Sequence, residues 1–252
     1  MSQILDSIKI LKDKKWIDLT HDVTDSIPYF AAFSPLKETT LFTVENDGFL
    51  AKEYTIVSQY GTHLDAPVHF AEGKRSLQDI ALDELVLPLY VIHKEDEVKQ
   101  NSDYLLTVQD ILDFEAEFEK IEAGSFVAFS SGWSKKWREK EAFYNIDENG
   151  QAHTPGWSLE ALKFLDRERG VHAIGHETLD TDRAIDVTEN KDIVGERYWL
   201  SQDKYQVEVL TNLEQIPSAG SAILLGLPKF KDAPGFGVRA FAITEYSHLK
   251  ID

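Results

Sequence analysis

Gly61-Thr62-His63-Leu64-Asp65-Ala66-Pro67-Val68-His69-Phe70 places two imidazoles and a carboxylate close together, just after a run of alternating character from Tyr54 to Tyr60. That alternation predicts a strand, and continuing it puts His63 and Asp65 on one face, because side chains two apart on a strand point the same way. Nitrogen and oxygen donors converging from one strand edge hold a divalent metal at roughly 2.0–2.2 Å. Gly61 permits a tight backbone turn, and Pro67 ends the ladder by removing an amide donor. His69 then falls just beyond the strand, where an imidazole that is not a ligand can carry protons. The plain alternative is a chance cluster of polar residues in a turn, and the downstream segments weigh against it.

Outward from this stretch the chain reads as alternating strands and capped helices. Residues 2–14 predict a short amphipathic helix with Ile4, Ile8, Ile10 and Leu11 available for one face. Strands are expected at Asp18–Val23, Leu41–Val44 and Tyr54–Tyr60, and the apolar run Leu85–His93 is a buried strand, whole or divided at Pro88. Thr107 is an N-cap candidate for a helix bearing Ile111, Leu112, Phe114, Phe118 and Ile121, and Ser158 caps a second that stops near Gly170. Ser125–Ser130, Val171–Gly175, Gln206–Leu210, Ala222–Leu227 and Arg239–Thr244 complete the strands. This mixture argues an α/β (mixed α+β) class. With no repeat, linker or break in composition, one domain over residues 1–252 is expected.

Composition excludes several functions. The 26 basic residues against 44 acidic ones give a formal net charge of −18, a field that repels phosphate backbones and anionic lipid. No nucleic acid and no membrane is therefore expected as a partner, and no apolar run approaches the roughly 20 residues of a membrane helix. The start Met-Ser-Gln-Ile-Leu-Asp lacks a basic, apolar leader, so a cytoplasmic location is the expectation. With no cysteine, disulfides, thiolate zinc sites and cysteine nucleophiles are ruled out. Acids such as Glu95-Asp96-Glu97 and those from Glu115 to Glu122 read as solvated surface.

The stretch from Gly61 to His69 resembles the signature His-x-Gly-Thr-His-x-Asp-x-Pro-x-His of the metal-dependent cyclase/hydrolase family, which includes kynurenine formamidases, isatin hydrolase and trans-dienelactone hydrolase. Trp16-Ile17-Asp18-Leu19-Thr20-His21 is similar to that family's opening strand, Glu208-Val209-Leu210-Thr211-Asn212-Leu213 to its late ligand segment, and Pro228 to Ala242 to its closing strands. The resemblance implies a β/β/α arrangement around a central barrel-like mixed sheet, a small-molecule substrate and a homo-oligomer, dimer or tetramer. It also implies a divalent metal, manganese or zinc, held by His63, Asp65 and Glu208. Two family histidines are replaced, one by Gln59 and one by Glu196, twelve positions before Glu208. Both are further ligand candidates. An oxygen-rich set that includes Glu196 shifts preference toward manganese or magnesium. Glu196 reads equally well as a surface acid in the charged run from Glu189 to Arg197.

The other histidines divide by context. His176 opens Gly175-His176-Glu177-Thr178-Leu179-Asp180-Thr181-Asp182, with three carboxylates just past an apolar strand, and is a possible ligand or proton carrier. His21 is either pocket lining or structural. His153 reads as a loop residue, with a place bordering the site as the alternative, His172 as structural, and His93 and His248 as solvated. Phe33, Phe70, Trp133 and Trp157, together with Tyr29 and Phe30, fall in loops or at strand ends and are candidates for an aromatic substrate pocket, against the ordinary role of aromatics in a core.

A divalent ion on this set lowers the pKa of bound water from 15.7 to about 7 and polarises a carbonyl. With His69 as general acid and base, the expected reaction is hydrolysis of an amide, lactam or lactone in a small cyclic or aromatic substrate, an arylformamidase-like activity. The rivals are a member that binds a metal or small carboxylate without turnover, and a metal-dependent lyase or cyclase. Retention of His69 argues against a pure binder.

Overall fold

The computed structural model describes residues 2–246; His248 lies outside them. Nine strands form one mixed sheet in the order β1 (Lys15–Asp18), β13 (Arg239–Thr244), β11 (Ser221–Gly226), β5 (Val86–His93), β7 (Phe126–Ser130), β9 (Ala173–His176), β10 (Tyr205–Glu208), β4 (His63–Asp65) and β12 (Gly235–Gly237). The four central strands β5, β7, β9 and β10 run parallel, and the flanking pairs are antiparallel. β12 and β13 stand far apart in that order, yet only Val238 separates them in sequence. The sheet therefore has to curl until its ends approach, as the barrel-like expectation requires. Thr20 ties the curl by bridging to Leu210 and accepting from the Ala240 amide at 2.8 Å.

Period-two alternation sorts the strands into two cores. Leu87, Leu89 and Val91 of β5, Phe126 and Ala128 of β7, Ala173 of β9 and Tyr205 and Val207 of β10 share one cluster. Their neighbours Tyr90, Ile92, Val127, Phe129 and Ile174 join the other, with Ile111 and Phe114 of helix Val108–Glu117 and Ala161, Leu162 and Leu165 of helix Leu159–Arg167. Both helices begin as read: Thr107 Oγ1 accepts from the Asp110 amide and Ser158 Oγ from the Ala161 amide. The first helix ends at Glu117, short of Phe118 and Ile121.

Several boundaries differ from the sequence reading. The opening strand is Lys15–Asp18, with Thr20 making only a bridge. The strand expected at Leu41–Val44 is β2 (Lys37–Phe42); Thr43 then caps a short helix, Val44–Asp47. Among the described residues β2 pairs only with β3 (Ala51–Thr55), and both are largely exposed. The Tyr54–Tyr60 run is not a strand: β3 stops at Thr55, and residues 58–62 turn through Gly61, at φ +74°, into the separate strand β4. Helix Gln3–Lys12 forms but buries none of its residues. A last pair, β6 (Leu105–Leu106) with β8 (Gly156–Trp157), is parallel.

Candidate metal centre

β4 lies between β10 and β12, and its register builds the site. Glu208 stands opposite His63 and Gln206 opposite Asp65, while Leu64 and Val207 turn to the apolar core on the other face. On β12, Gly235 and Gly237 face Asp65 and His63. A Cβ at position 235 would sit 2.3 Å from the Leu64 carbonyl and 3.1 Å from Asp65 Oδ1, so only glycine allows this approach. Immediately after Glu208, Val209 adopts φ +57°, a costly conformation for a β-branched residue. It is held there by Thr62 Oγ1, which donates to the Val209 carbonyl at 2.7 Å, and by the bond from the Val209 amide to the Thr178 carbonyl.

His63 Nδ1 donates to the Gly61 carbonyl at 2.8 Å. That bond leaves Nε2 as the free ring nitrogen. Nε2 stands 3.5 Å from Asp65 Oδ2 and 3.3 Å from Glu208 Oε2. Burial opposes charge on this imidazole, but Asp65 and Glu208 outweigh it and raise its pKa well above the ordinary value. Gln206 donates through Nε2 to Glu208 Oε1 at 2.9 Å and to Asp65 Oδ2 at 3.4 Å, and its own carbonyl accepts from Thr181 Oγ1 at 2.7 Å. His69 follows in the single 3₁₀ turn Pro67–His69, where the chain bends after Pro67, and its Nε2 lies 3.9 Å from Asp65 Oδ1. His176, at the end of β9, is buried, with Nε2 3.4 Å from Glu208 Oε1.

Glu196 is not a surface acid. It is 3% exposed, in the helix Val194–Ser201. Asp182 clamps the start of that helix, accepting from the Gly195 amide at 2.7 Å and the Glu196 amide at 2.9 Å. Burial, then the charges of Glu208, Asp65 and Asp180, push the Glu196 carboxyl well above its usual range. Burial first and Glu208 second raise Asp180 to about 7. By contrast, Glu177 of the same acidic turn is spent on structure, accepting from the Ser131 and Trp133 amides and from the Ser131 and Ser134 hydroxyls.

The donor chemistry fits a divalent cation. His63, Asp65 and Glu208 bring one ligand atom each within 4.8 Å of one another, and Asp65, His69 and Glu196 form a second such group sharing Asp65. Asp65 Oδ1 and both ring nitrogens of His176 are buried without a hydrogen-bond partner among the described residues. Buried, mutually repelling carboxylates are stable only when neutralised, and a bound cation does this where a proton otherwise must.

A cavity of about 250 Å³ opens over the site, lined by Phe30, Phe33, Phe70, Leu179 and Ile193 together with Gln59, His63, His69, Asp180, Glu196 and Glu208. Phe33 and Phe70, two of the sequence's candidates for a substrate pocket, line this cavity. Trp133 and Trp157, also candidates, do not line it: both are buried in the helix-side core, Trp133 donating to the Phe143 carbonyl and Trp157 packing edge-on against Phe129. His21 also stands apart, stacked on Trp137 at 4.2 Å, with burial lowering its pKa to about 4. His153 pairs with Asp103 and His172 with Glu84, while His93 is half-buried between Glu95 and the Ile216 carbonyl. Gln206 was missed in the sequence; its signal is that Gln206 and Glu208 share one face of a strand whose other face is apolar.

Comparison with known proteins bears on the family and the fold. The family model described as "Putative cyclase" matches residues 17–183. An isatin hydrolase from Roseibium aggregatum is 28% identical over 223 residues, covering 86% of this chain and 84% of that protein. The solved structure of isatin hydrolase A from Ralstonia solanacearum superposes with a TM-score of 0.90 at 30% identity, covering 97% of this chain and 98% of the other. A kynurenine formamidase from Geobacillus thermodenitrificans is 33% identical over 95 residues, which is 37% of this chain and 45% of that protein.

Proposed function

The chain belongs to the cyclase family, and on that basis we propose that it is a metal-dependent hydrolase opening the amide bond of a small aromatic lactam of the isatin type. The observation that supports this best is the convergence of His63, Asp65 and Glu208, with His69 beside them, under a small cavity walled by Phe30, Phe33 and Phe70. Two relatives that match over most of both chains at 28–30% identity are isatin hydrolases, whereas the kynurenine formamidase matches less than half of either chain. A flat bicyclic amide also suits apolar walls around a polar floor.

In this reading His63, Asp65 and Glu208 hold the ion, with Glu196 as a further anionic ligand. The oxygen-rich set favours manganese over zinc. When bound, the ion supplies Lewis-acid polarisation of the carbonyl and acidifies water. Asp65 and Glu208 are kept in place by the Gln206 amide, and the His63 tautomer by the Gly61 carbonyl. His69 takes the proton from attacking water and returns it to the departing ring nitrogen, leaving an amine and a carboxylate. The phenylalanine walls exclude bulk water from this exchange.

The reading extends to the whole of residues 1–252 as one hydrolase domain, since strands from both ends of the chain complete the same sheet. It extends also to a homo-oligomer. The β2–β3 hairpin pairs with no other strand among the described residues and exposes Leu41, Phe42, Val44, Phe49, Leu50 and Tyr54, and an isolated two-stranded hairpin is marginal in water. Among the described residues no helix is long and apolar enough to cross a membrane.

The test is turnover with defined metal. Protein stripped and reloaded with manganese or zinc is assayed on isatin, formanilide and a small lactone, with product formed in ¹⁸O-labelled water. Incorporation of one labelled oxygen into a carboxylate from isatin supports hydrolysis. Turnover without label incorporation indicates a lyase or cyclase, and binding of metal with no turnover indicates a non-catalytic member.

A further inference from the structure

Gln59 stands where the family signature has a histidine, and its amide is oriented by its neighbour. The Ser58 hydroxyl donates to Gln59 Oε1. That bond takes one of the two lone pairs of the carbonyl oxygen, the atom through which an amide ligates a metal, and turns Nε2 the other way. Nε2 is buried, with no hydrogen-bond partner among the described residues, in a residue only 8% exposed that lines the cavity with His63, His69, Glu196 and Glu208. β12 packs against this amide: a Cβ at position 235 would come within 2.9 Å of Nε2. A buried donor left unpaired costs about 1–3 kcal/mol, and the cavity that Gln59 lines is where a partner for it can enter.

We propose that Gln59 is a specificity residue whose Nε2–H donates to a carbonyl oxygen of the substrate adjacent to the amide carbonyl under attack, rather than a metal ligand. The proposal rests on the hydrolase reading above and narrows it to cyclic amides carrying a neighbouring keto group. Isatin has two adjacent carbonyls: the amide carbonyl is attacked, and the ketone remains as an acceptor before and after ring opening. An N–H donor selects for that oxygen, whereas a histidine with its ring nitrogen on a metal does not. A site built around a hydrogen bond discriminates against the analogue that lacks the partner group.

The experiment compares manganese-loaded wild type, Gln59→Leu and the near-isosteric Gln59→Glu. Metal content is measured by elemental analysis, isatin opening by absorbance, and binding of isatinate and of anthranilate, which lacks the keto group, by calorimetry. Gln59→Leu is expected to keep its metal, to lower kcat/KM for isatin and weaken isatinate by about tenfold, and to leave anthranilate unchanged. Gln59→Glu, an acceptor when ionised, is expected to lose at least as much. Loss of metal in Gln59→Leu makes Gln59 a ligand and overturns the proposal. So does equal weakening of both acids, which marks a structural role, and so does unaltered isatin turnover and isatinate binding. A wild type that neither opens isatin nor binds isatinate removes the hydrolase reading, and the proposal falls with it.

Discussion

Stripping the cation should reverse the pH dependence of this protein's stability. In the metal-free chain Asp180 titrates near 7 instead of 3.8, because burial and the neighbouring Glu208 disfavour its charge. The folded state thus binds a proton that the unfolded state has already released, and stability falls as pH rises from the unfolded pKa through the folded one. A displacement of about three units corresponds to roughly 4 kcal/mol between pH 4 and pH 8. Glu196, raised in the same direction, adds to that loss. His63, held above its ordinary pKa, contributes stability below about pH 6.5 that is lost as pH rises through its folded pKa, so its sign agrees. For a chain of this length 4 kcal/mol is roughly 8–16 °C in Tm. Metal-loaded protein should show the opposite slope, because ligands must shed protons to bind. The assay is thermal and urea unfolding from pH 4 to 8, with and without chelator, for wild type and Asp180→Asn. The wild type should lose stability toward pH 8 only when stripped, and Asp180→Asn should lose several kcal/mol less. A flat profile in stripped wild type, or the same slope in Asp180→Asn, refutes the reasoning.

His69→Ala should retain its metal and fold while turnover falls by about 10²–10⁴-fold; metal loss in elemental analysis would show that His69 is instead a ligand with Asp65 and Glu196. Glu196→His should move preference from manganese toward zinc, and identical affinities for the two ions in both proteins, by competition titration, would remove Glu196 from the ligand set. Gln206→Leu should weaken metal binding by about 10–100-fold, because Asp65 and Glu208 lose their shared donor; calorimetric affinity equal to wild type would count against that role.

The fold and part of the site were legible because their signals are local. Alternation in Leu87–Ile92 and Phe126–Phe129 sorts side chains to the two faces on which they pack. His63 and Asp65 share a face because they are two apart on a strand. The strand itself was placed too early, since Tyr54, Ile56 and Tyr60 alternate convincingly while Gly61 at positive φ breaks the ladder before β4 begins. Glu196 was ambiguous because its burial depends on Asp182 clamping a helix start from outside that helix. Trp133 and Trp157 were misplaced because aromatic type does not tell a core position from a pocket wall; the core holds them through Phe143 and Phe129. The orientation of the Gln59 amide depends on the Ser58 hydroxyl and on β12, more than 170 positions away in sequence.

The most direct test of the central claim is a paired measurement of bound metal and isatin opening in wild type and Asp65→Ala. Asp65 belongs to both ligand groups and sits in a fixed register opposite Gln206 and Gly235. The account predicts that wild type binds a divalent ion, loses ring opening on chelation and regains it on reloading, whereas Asp65→Ala, folded by circular dichroism, holds little metal and has no turnover. Unchanged metal stoichiometry in Asp65→Ala, or isatin opening by wild type that survives full removal of the ion, would contradict it.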